Sequence, residues 1–549
     1  MRARNSERGE RSSLRSLMLG LLAVVGLFAS LSPLNAAELL AREAPKEIAA
    51  PPAGTLFICG GGKLSDELLQ QFVKLSGGDE GKLVVITTAN WRAETAPEEV
   101  LAMWQPRTKA AITLLHARSA EEANRDDFLA PLRTATGVWL MSGKQSRLTG
   151  AYLGTKLHDE LRAVLARGGV VGGTSAGAAA MSDVMIAGGT LDAPGILPGF
   201  ALLEDSIIDQ HFMVRKREPR LLKTLHDYPG RVGFGIDEGT ALVVRGRDLF
   251  VLGESTVSVY LAPSETRPLR TTLLKAGERE DLTALRRAAL ARTTESFPPE
   301  KLPLPRVADG SLVIVGGGRM PDDVQKKFVE LCGGPKAKII VVPAAGDRPT
   351  ADSAEGRWLT KHGVTKIEVF HPRDRDEANS PEFITKLRDA GGIWFGGGRQ
   401  WRTVDAFEGT ASVAAFHDVL KRGGAIGGSS AGATIQGEYL VRGNPIGNLQ
   451  IMAEGYERGF GFLPGTAIDQ HFTQRKRQPD MLLLKRTFPQ LLGLGIDEGT
   501  AVIVRGSRLD VMGEAQVGIY PPVRSGATLP DPHILKAGES FDLETLAAE

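Results

Sequence analysis

Short apolar runs alternate with amphipathic stretches along most of this chain. Each half opens with an apolar run that ends in glycines, TLFICGGG at 55–62 and SLVIVGGG at 311–318. Short apolar runs bounded by glycine are typical of buried strands, and their alternation with amphipathic segments is typical of a parallel sheet covered by helices. In the first half the pattern predicts helices at 65–75 and 156–167 and strands at 55–59, 82–87, 111–115, 137–141, 169–172, 206–210, 232–236 and 241–245.

The same order of motifs occurs twice. GGTSAGA at 172–178 recurs as GGSSAGA at 427–433, and each copy is followed by IDQHF and then by GIDEGTA. Ser175 and Ser430 are 255 residues apart, whereas the histidines and glutamates of the following motifs are 260 residues apart. A hydroxyl, an imidazole and a carboxylate therefore recur together in both halves.

The repeat extends beyond these motifs, because LKAGEREDLTAL at 274–285 matches LKAGESFDLETL at 535–546. A chain of 549 residues is too long for one hydrophobic core, so two or more domains are expected. We predict tandem α/β domains at 38–285 and 310–549, joined by a short proline-rich linker at 286–309. Because the halves are so alike, we expect them to pack against each other as a pseudo-twofold pair that imitates a homodimer.

The composition and charge of the chain argue against some classes of binding partner. The chain is 42% hydrophobic and 24% charged, which is typical of a globular protein. Its formal net charge is +1, so nothing global favours nucleic acid or an anionic membrane. The glycine turns CGGGKL and VGGGRM lack the G-x-G-x-x-G spacing, and we predict no nucleotide cofactor. The two cysteines, Cys59 and Cys332, lie at non-equivalent points and are expected to be core thiols.

The first 37 residues have the pattern of an export signal. Five arginines within the first 15 residues precede the apolar run LMLGLLAVVGLFASL, and Ala36 and Ala37 follow it. The run is too short for a comfortable transmembrane span, which favours a signal peptide at 1–37 that is removed. An uncleaved anchor is the alternative, because Leu34 or Pro33 stands where a small residue is usual. We expect a periplasmic or extracellular protein with no membrane contact after signal removal.

The serines of the repeated motifs have the setting of a nucleophile. Ser175 lies in GTSAG and Ser430 in GSSAG, each between an apolar run and a segment that can open a helix. A serine on a sharp strand-to-helix turn is exposed, and small neighbours let other backbone segments approach it closely. The helix N-terminus supplies amide donors where an oxyanion would form.

Two pairs of histidines recur between the halves. His211 and His471 follow β-rich runs, at the strand end where sites form in open α/β sheets, and we favour them as the general base. His116 and His371 lie in segments that read as a loop leading into a helix, and we interpret them as structural.

A carboxylate follows in each half between two apolar strands. Glu238 and Glu498 suit the orientation of an imidazole, since a carboxylate there is costly to bury without a partner. Asp237 and Asp497 are adjacent alternatives, which point to the opposite face if the run is extended.

The order serine, histidine, glutamate differs from the serine, acid, histidine order of α/β-hydrolases. The GTSAGA elbow, the DQHF-x-x-R-x-R run and the GIDEGTA segment together resemble the cyanophycinase and aspartyl dipeptidase group of serine peptidases. The resemblance covers about 55–260 and 311–520 and is closer to cyanophycinase in the first half. It implies two flavodoxin-like domains related to class I glutamine amidotransferases, no metal and no cofactor, and two triads: Ser175, His211 and Glu238, then Ser430, His471 and Glu498.

The resemblance also implies the remaining site residues. The oxyanion hole would consist of the amides of Ala176 and Gly143 in the first half, and of Ala431 and Gly398 in the second. Substrate contacts would come from Gln145, Asp209, Gln210, Arg215, Arg217 and Arg220, and from Gln400, Asp469, Gln470, Arg475 and Arg477. Cyanophycinases cleave the aspartate backbone of cyanophycin and release β-aspartyl-arginine dipeptides. The arginines suit the free carboxylates of such a peptide, although a solvated basic helix start has the same pattern.

Three differences separate the halves. Asp480 stands where the first half has Arg220, so we expect a repelling charge in place of one carboxylate contact. The interval between serine and histidine is 36 residues in the first half and 41 in the second. Ser142 stands opposite Gly397 in the loop that would supply oxyanion donors. The halves are therefore not expected to share every detail of substrate choice.

The leading hypothesis is an exported serine peptidase with a peptide substrate, which forms an acyl-enzyme and releases β-aspartyl-arginine dipeptides from cyanophycin. The alternatives are an α-aspartyl dipeptidase-like exopeptidase, a binding protein with one inactive half, and an esterase or amidase for small acyl substrates. The arginines discriminate against the last of these, because a neutral ester has no need of them.

Overall fold

The computed structural model describes residues 48–90, 92, 96–347, 354–372 and 374–548. The chain divides into two compact units between Thr294 and Glu295. Within the described ranges, every helix is too short or too polar to cross a lipid bilayer. The predicted signal peptide lies outside the described residues.

The first unit alternates strands and helices from Thr55 to Ala179 and consists mainly of strands after that. Its helices are α1 (Asp66–Leu75), α2 (Pro97–Trp104), α3 (Ala120–Ala123), α4 (Asp126–Arg133), α5 (Gln145–Tyr152), α6 (Lys156–Ala166), α7 (Ala176–Ala179), α8 (Glu218–Asp227) and α9 (Leu282–Ala291). Its strands are β1 (Thr55–Cys59), β2 (Lys82–Ile86), β3 (Ala111–Leu115), β4 (Gly137–Leu140), β5 (Val170–Thr174), β6 (Ser182–Gly189), β7 (Pro194–Pro198), β8 (Leu203–Gln210), β9 (Val232–Ile236), β10 (Thr240–Arg245), β11 (Asp248–Gly253), β12 (Thr256–Leu261), β13 (Arg270–Lys275) and β14 (Arg279–Asp281).

The second unit repeats this order. Its helices are α10 (Asp322–Leu331), α11 (Ala354–Lys361), α12 (Arg375–Ala378), α13 (Pro381–Leu387), α14 (Gln400–Phe407), α15 (Ala411–Lys421), α16 (Ala431–Thr434) and α17 (Gln478–Thr487). Its strands are β15 (Val307–Val315), β16 (Lys338–Val342), β17 (Lys366–Val369), β18 (Gly392–Phe395), β19 (Ala425–Ser429), β20 (Gly437–Tyr439), β21 (Leu463–Gln470), β22 (Leu492–Ile496), β23 (Thr500–Gly506), β24 (Arg508–Gly513), β25 (Gln516–Tyr520), β26 (His533–Lys536), β27 (Ser540–Asp542) and β28 (Ala547–Ala548).

Each unit contains two sheets. In the first unit the larger sheet has the order β14-β11-β10-β1-β5-β4-β2-β3, in which β1, β5, β4, β2 and β3 run parallel. The smaller sheet has the order β13-β12-β9-β8-β6-β7, with β6, β8 and β9 parallel. The α/β class predicted from the sequence is confirmed, but the pattern did not reveal that β8 and β9 leave the main sheet for a second one.

The second unit differs at one edge of its smaller sheet. Its larger sheet has the order β17-β16-β18-β19-β15-β23-β24-β27-β28, and its smaller sheet has the order β20-β21-β22-β25-β26. The first unit pairs β7 with β6 as an antiparallel hairpin. At the corresponding place in the second unit, the described residues 440–462 form no strand, and one isolated bridge joins Tyr439 to Arg458.

Large aromatic side chains fill the layer between the main sheet and its helices. In the first unit the rings of Phe72 and Trp139 lie 4.8 Å apart, edge to face. Gly172 on β5 leaves them room, since an added Cβ would lie 2.7 Å from both rings. The second unit repeats the contact with Phe328 and Trp394 at 5.0 Å. This packing fixes the parallel strands whose ends carry the candidate site.

The strand ends from both sheets converge. In the main sheet Cys59 pairs with Thr174, so the glycine turn after β1 lies beside Ser175. In the smaller sheet Gln210 pairs with Ile236, so His211 lies beside the turn that carries Glu238. The helix α9 continues to Ala291 and therefore occupies the start of the segment that was expected to be a linker.

Candidate active site

Ser175 and Ser430 occupy strained backbone positions. Ser175 has φ 52° and ψ −106°, and Ser430 has φ 55° and ψ −111°. Residues other than glycine rarely adopt such backbone angles. A residue held in this conformation costs about 1–3 kcal/mol and persists only where the surrounding structure enforces it. The amide of Ser175 donates to the carbonyl of Cys59 at 3.0 Å, which anchors the turn to the first strand. Each serine therefore stands on a sharp turn between a strand and a short helix.

A continuous chain of hydrogen-bond contacts links serine, histidine and glutamate in each unit. Ser175 Oγ lies 2.8 Å from His211 Nε2, and His211 Nδ1 lies 2.5 Å from Glu238 Oε1. In the second unit Ser430 Oγ lies 3.0 Å from the Nε2 atom of His471, whose Nδ1 lies 2.5 Å from a carboxylate oxygen of Glu498. A carboxylate accepts the Nδ1 proton and leaves Nε2 free to accept a proton from the serine hydroxyl.

The glycine turn after the first strand makes room for this chain of side chains. An added Cβ at Gly61, where φ is +105°, would lie 2.3 Å from the imidazole Cε1 of His211. An added Cβ at Gly62 would lie 2.7 Å from the Cβ of Glu238. In the second unit an added Cβ at Gly317 would lie 2.3 Å from the imidazole Cε1 of His471. The recurrence of GGG after both first strands was the sequence signal for this role, but the sequence reasoning did not use it.

Both imidazoles have a depressed pKa. Burial lowers the pKa of His211 below its usual 6.5, and the hydrogen bond with Glu238 opposes this without cancelling it. The positive charge of Arg215 lowers the pKa further. The pKa of His471 is lowered for the same reasons, with Arg475 in the place of Arg215. Each imidazole is therefore neutral near pH 7, which is the state that can accept a proton.

Asp237 and Asp497 serve the turn rather than the imidazole. Asp237 Oδ1 accepts the amides of Met213 and Val214 at 3.0 and 3.1 Å. Asp497 Oδ1 accepts the amide of Thr473 at 2.8 Å. These aspartates hold the loop that follows the histidine, and the neighbouring glutamates contact the ring.

His116 lies at a different place in the first unit. Its Nδ1 atom lies 2.9 Å from the hydroxyl of Thr87, at the end of β2. His116 therefore contacts a hydroxyl other than that of Ser175. Cys59 and Cys332 are free buried thiols, as expected.

The loop at 397–398 approaches Ser430, and its counterpart in the first unit is the loop at 142–143. Gly143 and Gly398 have φ of 143° and 139°, and an added Cβ would lie 2.1 Å from the carbonyl oxygens of Ala89 and Ala345. An added Cβ at Gly397 would lie 3.5 Å from the Cβ of Ser430, an ordinary contact, so a serine at this position fits beside the nucleophile.

The expected first-half arginine cluster is mostly engaged inside the protein. Arg220 is buried and binds both carboxylate oxygens of the fully buried Asp209. Arg217 donates to the backbone and side-chain oxygens of Gln210 at 2.6 and 2.5 Å. Burial, with the charge of Arg220, lowers the pKa of Arg217 to about 10. Arg215 is exposed. Of the three arginines expected to contact substrate, Arg220 therefore forms an internal ion pair with Asp209, and Arg215 is the exposed member.

The second unit neutralises its buried aspartate differently. Arg442 donates to both carboxylate oxygens of Asp469 at 2.9 and 2.8 Å, and to Asp480 at 2.7 Å. Burial lowers the pKa of Arg442, but its ion pairs with Asp469 and Asp480 outweigh this and raise it. Arg477 lies 3.0 Å from Asp469. Asp480 is therefore not a repelling charge in the pocket, because Arg442 takes the place of Arg220 and pairs with both acids.

The remaining predicted contact residues are also held by the protein. The side-chain amide of Gln145 donates to the carbonyl of Ile186 at 2.8 Å, and Gln400 is buried at the start of α14. Gln470 accepts from Arg477 at 2.9 Å. Gln145 and Gln470 therefore bind other groups of the protein in this structure.

Comparison with known proteins identifies the family. The model of peptidase family S51 matches residues 56–252 and again residues 312–512. Cyanophycinases of Geminocystis herdmanii and Synechococcus elongatus are 31% identical over 201 residues, which cover 35% of this chain and 74% and 62% of those proteins. The cyanophycinase of Trichormus variabilis is 32% identical over 203 residues, 35% of this chain and 67% of that protein.

Two solved structures show more distant similarity. A peptidase from an acI-B1 Actinobacterium is 24% identical, with a TM-score of 0.34 over 43% of this chain and 97% of its own. A putative peptidase E protein from Listeria monocytogenes is 16% identical, with a TM-score of 0.29 over 38% of this chain and 100% of its own. On the family match, the chain belongs to peptidase family S51 and is a serine-type peptidase that carries the family region twice.

Proposed function

We propose that both units are catalytic sites for aspartyl peptide bonds and that the protein releases β-aspartyl-arginine dipeptides from cyanophycin. The observation that carries this proposal is the unbroken Ser-His-Glu contact chain, present in both units with closely similar distances. The similarity to proteins named cyanophycinase supports the choice of substrate.

The first step forms an acyl-enzyme. Ser175 Oγ attacks the carbonyl carbon of the peptide bond while His211 Nε2 takes the hydroxyl proton. The negative oxygen of the tetrahedral intermediate accepts hydrogen bonds from the amides of Ala176 and Gly143. When the carbon–nitrogen bond breaks, the imidazolium gives its proton to the leaving amine. Glu238 stabilises the positive ring and keeps its Nε2 atom directed at the serine.

The second step releases the product. Water enters the place of the departed amine and gives a proton to the Nε2 atom of His211 as its oxygen attacks the ester. The ester bond breaks, Ser175 Oγ recovers the proton, and a free carboxylic acid leaves. Ser430, His471 and Glu498 act in the same way in the second unit, with the amides of Ala431 and Gly398 as donors.

The charge beside the site suits an acidic substrate. Arg215 and Arg475 are exposed and lie close enough to their imidazoles to lower the pKa of the rings. In this proposal they attract and orient a free carboxylate of an aspartyl peptide. The buried ion pairs of Asp209 and Asp469 hold the strand ends that carry the histidines, rather than touching substrate.

We also propose that the protein is exported. The basic and apolar pattern of the first 37 residues supports a removable signal peptide. Cell fractionation and N-terminal sequencing of the mature protein test this part, and a cytosolic protein that retains its first residue would overturn it.

The test of function is dipeptide release from purified cyanophycin by the mature protein. Wild type, Ser175→Ala, Ser430→Ala and the double variant are compared, and a fluorophosphonate probe reports which serine reacts. We expect release by wild type and none by the double variant. Labelling of the serines without release from cyanophycin would refute the substrate, and the absence of both labelling and release would refute the catalytic proposal.

A further inference from the structure

The segment between β20 and β21 is the main structural difference between the two sites. In the first unit its counterpart folds back as the β6–β7 hairpin. In the second unit the interval from serine to histidine grows from 36 to 41 residues. The additional residues fall in a segment without strands, of which 443–451 is here named the second-site loop.

Arg442 binds this loop to the strand that ends at the catalytic histidine. One guanidinium nitrogen donates to the carbonyls of Asn448 and Leu449 at 3.0 and 3.1 Å. The rest of the same group binds the buried Asp469, two residues before His471. The amide of Arg442 also donates to the carbonyl of Ile451 at 2.8 Å, so the loop closes on the residue that precedes it.

Arg399 binds the other end of the loop to the segment that would supply oxyanion donors. Its guanidinium donates to the carbonyl of Asn444 at 2.7 Å and lies 3.3 Å from that of Pro445. Arg399 directly follows Gly398, and its own amide is held by the carbonyl of Ala345 at 2.8 Å. The loop therefore begins within one arginine side chain of Gly398, the glycine whose amide we expect to serve as an oxyanion donor.

The buried aspartate has its counter-ion on a different segment in each half. In the first unit Arg220 on α8 pairs with Asp209, and the position that corresponds to Arg442 by the serine offset is Ala187. Arg442 reaches the corresponding helix of the second unit through Asp480, and it also precedes the second-site loop and holds its carbonyls. The same buried charge thus positions a different surface segment in the second unit.

The second-site loop presents apolar side chains to solvent. Ile446 is 56% exposed and Leu449 is 85% exposed, although the backbone on both sides of them is held by the two arginines. A loop whose backbone is fixed loses little conformational entropy when a ligand covers its side chains. Exposed apolar groups on a loop that Arg399 connects to the segment expected to supply oxyanion donors suit an apolar part of the substrate.

We propose that the second-site loop selects the substrate of the second site, that Arg442 positions it, and that this site hydrolyses aspartyl peptides whose neighbouring residue is apolar. The inference rests on the proposed function, because it requires that Ser430 be catalytic. It separates the two halves by substrate, with the arginine-bearing polymer cleaved at the first site.

The first experiment isolates the second site with Ser175→Ala and compares two aspartyl dipeptides, one with leucine and one with arginine as the second residue. We expect a kcat/KM ratio of about tenfold in favour of leucine, which is the discrimination that one or two apolar contacts supply. The double variant Ile446→Ser/Leu449→Ser is expected to remove that preference. The matched control is Ile534→Ser, which changes an apolar side chain of 49% exposure on β26, at the opposite edge of the smaller sheet from β20.

The second experiment separates positioning of the loop from neutralisation of the aspartate. Arg442→Ala removes the loop contacts and the bidentate partner of Asp469, which then keeps only Arg477, and we expect a lower melting temperature and loss of the leucine preference. Arg442→Ala/Asp480→Arg returns the counter-ion to the helix, as in the first half, without returning the loop contacts. We expect this double variant to regain the melting temperature and kcat of its parent but not the preference for leucine. The lost preference would appear as a raised KM for the leucine peptide.

The outcomes are distinct. An unchanged preference in Ile446→Ser/Leu449→Ser, or its full recovery in Arg442→Ala/Asp480→Arg, overturns the inference. Hydrolysis by Ser430→Ala but none by Ser175→Ala also overturns it, while the proposed function stands for the first half. If the wild type, Ser175→Ala and Ser430→Ala all fail to cleave any aspartyl peptide, the proposed function fails and the inference fails with it.

Discussion

A methyl group at Gly61 should disable the first site while leaving the fold intact. Its added Cβ would lie 2.3 Å from Cε1 and 2.6 Å from Nε2 of His211. Carbon atoms rarely approach within about 3.4 Å, so the ring must retreat by about 1 Å. The contact between Ser175 Oγ and Nε2, now 2.8 Å, then exceeds hydrogen-bond reach. A displacement of this size costs about 10²-fold in rate. We therefore expect kcat/KM of Gly61→Ala, measured in a Ser430→Ala background, to fall at least that far.

The control for Gly61→Ala is Gly188→Ala. No atom lies within 4 Å of an added Cβ at Gly188, which has no left-handed backbone angle. An alanine at φ +105° costs about 1–2 kcal/mol, so the melting temperature of Gly61→Ala should fall by only a few degrees. A folded Gly61→Ala enzyme with kcat/KM within about threefold of its parent would show that the imidazole is not confined by this turn.

Three further predictions concern ionisable groups. Because the neutral imidazole is the base and burial lowers the pKa of His211, the acid limb of kcat/KM for the first site should have its midpoint below pH 6.5. Glu238→Gln removes the negative charge that raises this pKa and should move the acid limb still lower, which a pH–rate profile measures. Arg220→Ala leaves Asp209 buried without its main partner and should cost about 3–5 kcal/mol in the unfolding free energy of the first unit, whereas exposed Arg215→Ala should stay within about 0.5 kcal/mol in urea titration. Burial lowers the pKa of Lys485 from 10.5 to about 8, so the folded second unit disfavours the charged amine. The unfolding free energy of the second unit should therefore increase as the pH is raised from about 8 to 10.5, and Lys485→Met should abolish that increase.

The two counter-ions show how one physical requirement admits two solutions. A carboxylate buried beside the catalytic strand end must be neutralised, because an unpaired buried charge is costly. In the first unit the cation comes from the helix after the histidine, and in the second it comes from the segment before the inserted loop. The exchange of Arg220 for Asp480 is therefore a change of partner and not the loss of a charge.

The sequence by itself determined the fold class and the three side chains of each candidate triad. Strands predicted at 55–59, 111–115 and 232–236 match the structure residue for residue, because a short apolar run of about five residues is the length typical of a buried strand. The choice of His211 over His116 followed from its place at the end of a strand. Motifs carry this information locally, so an interval of a few residues was enough to identify the candidates.

Tertiary structure alone decided which groups the candidates touch. The division of each half into two sheets, the confinement of the imidazoles by Gly61 and Gly317, and the pairing of Arg442 with Asp469 all join residues from different elements. Periodicity reports which face of a segment is buried, but it does not report which segment covers it. A buried charge accepts any cation that reaches it, so the element that supplies Arg442 is set by three-dimensional distance and not by a motif.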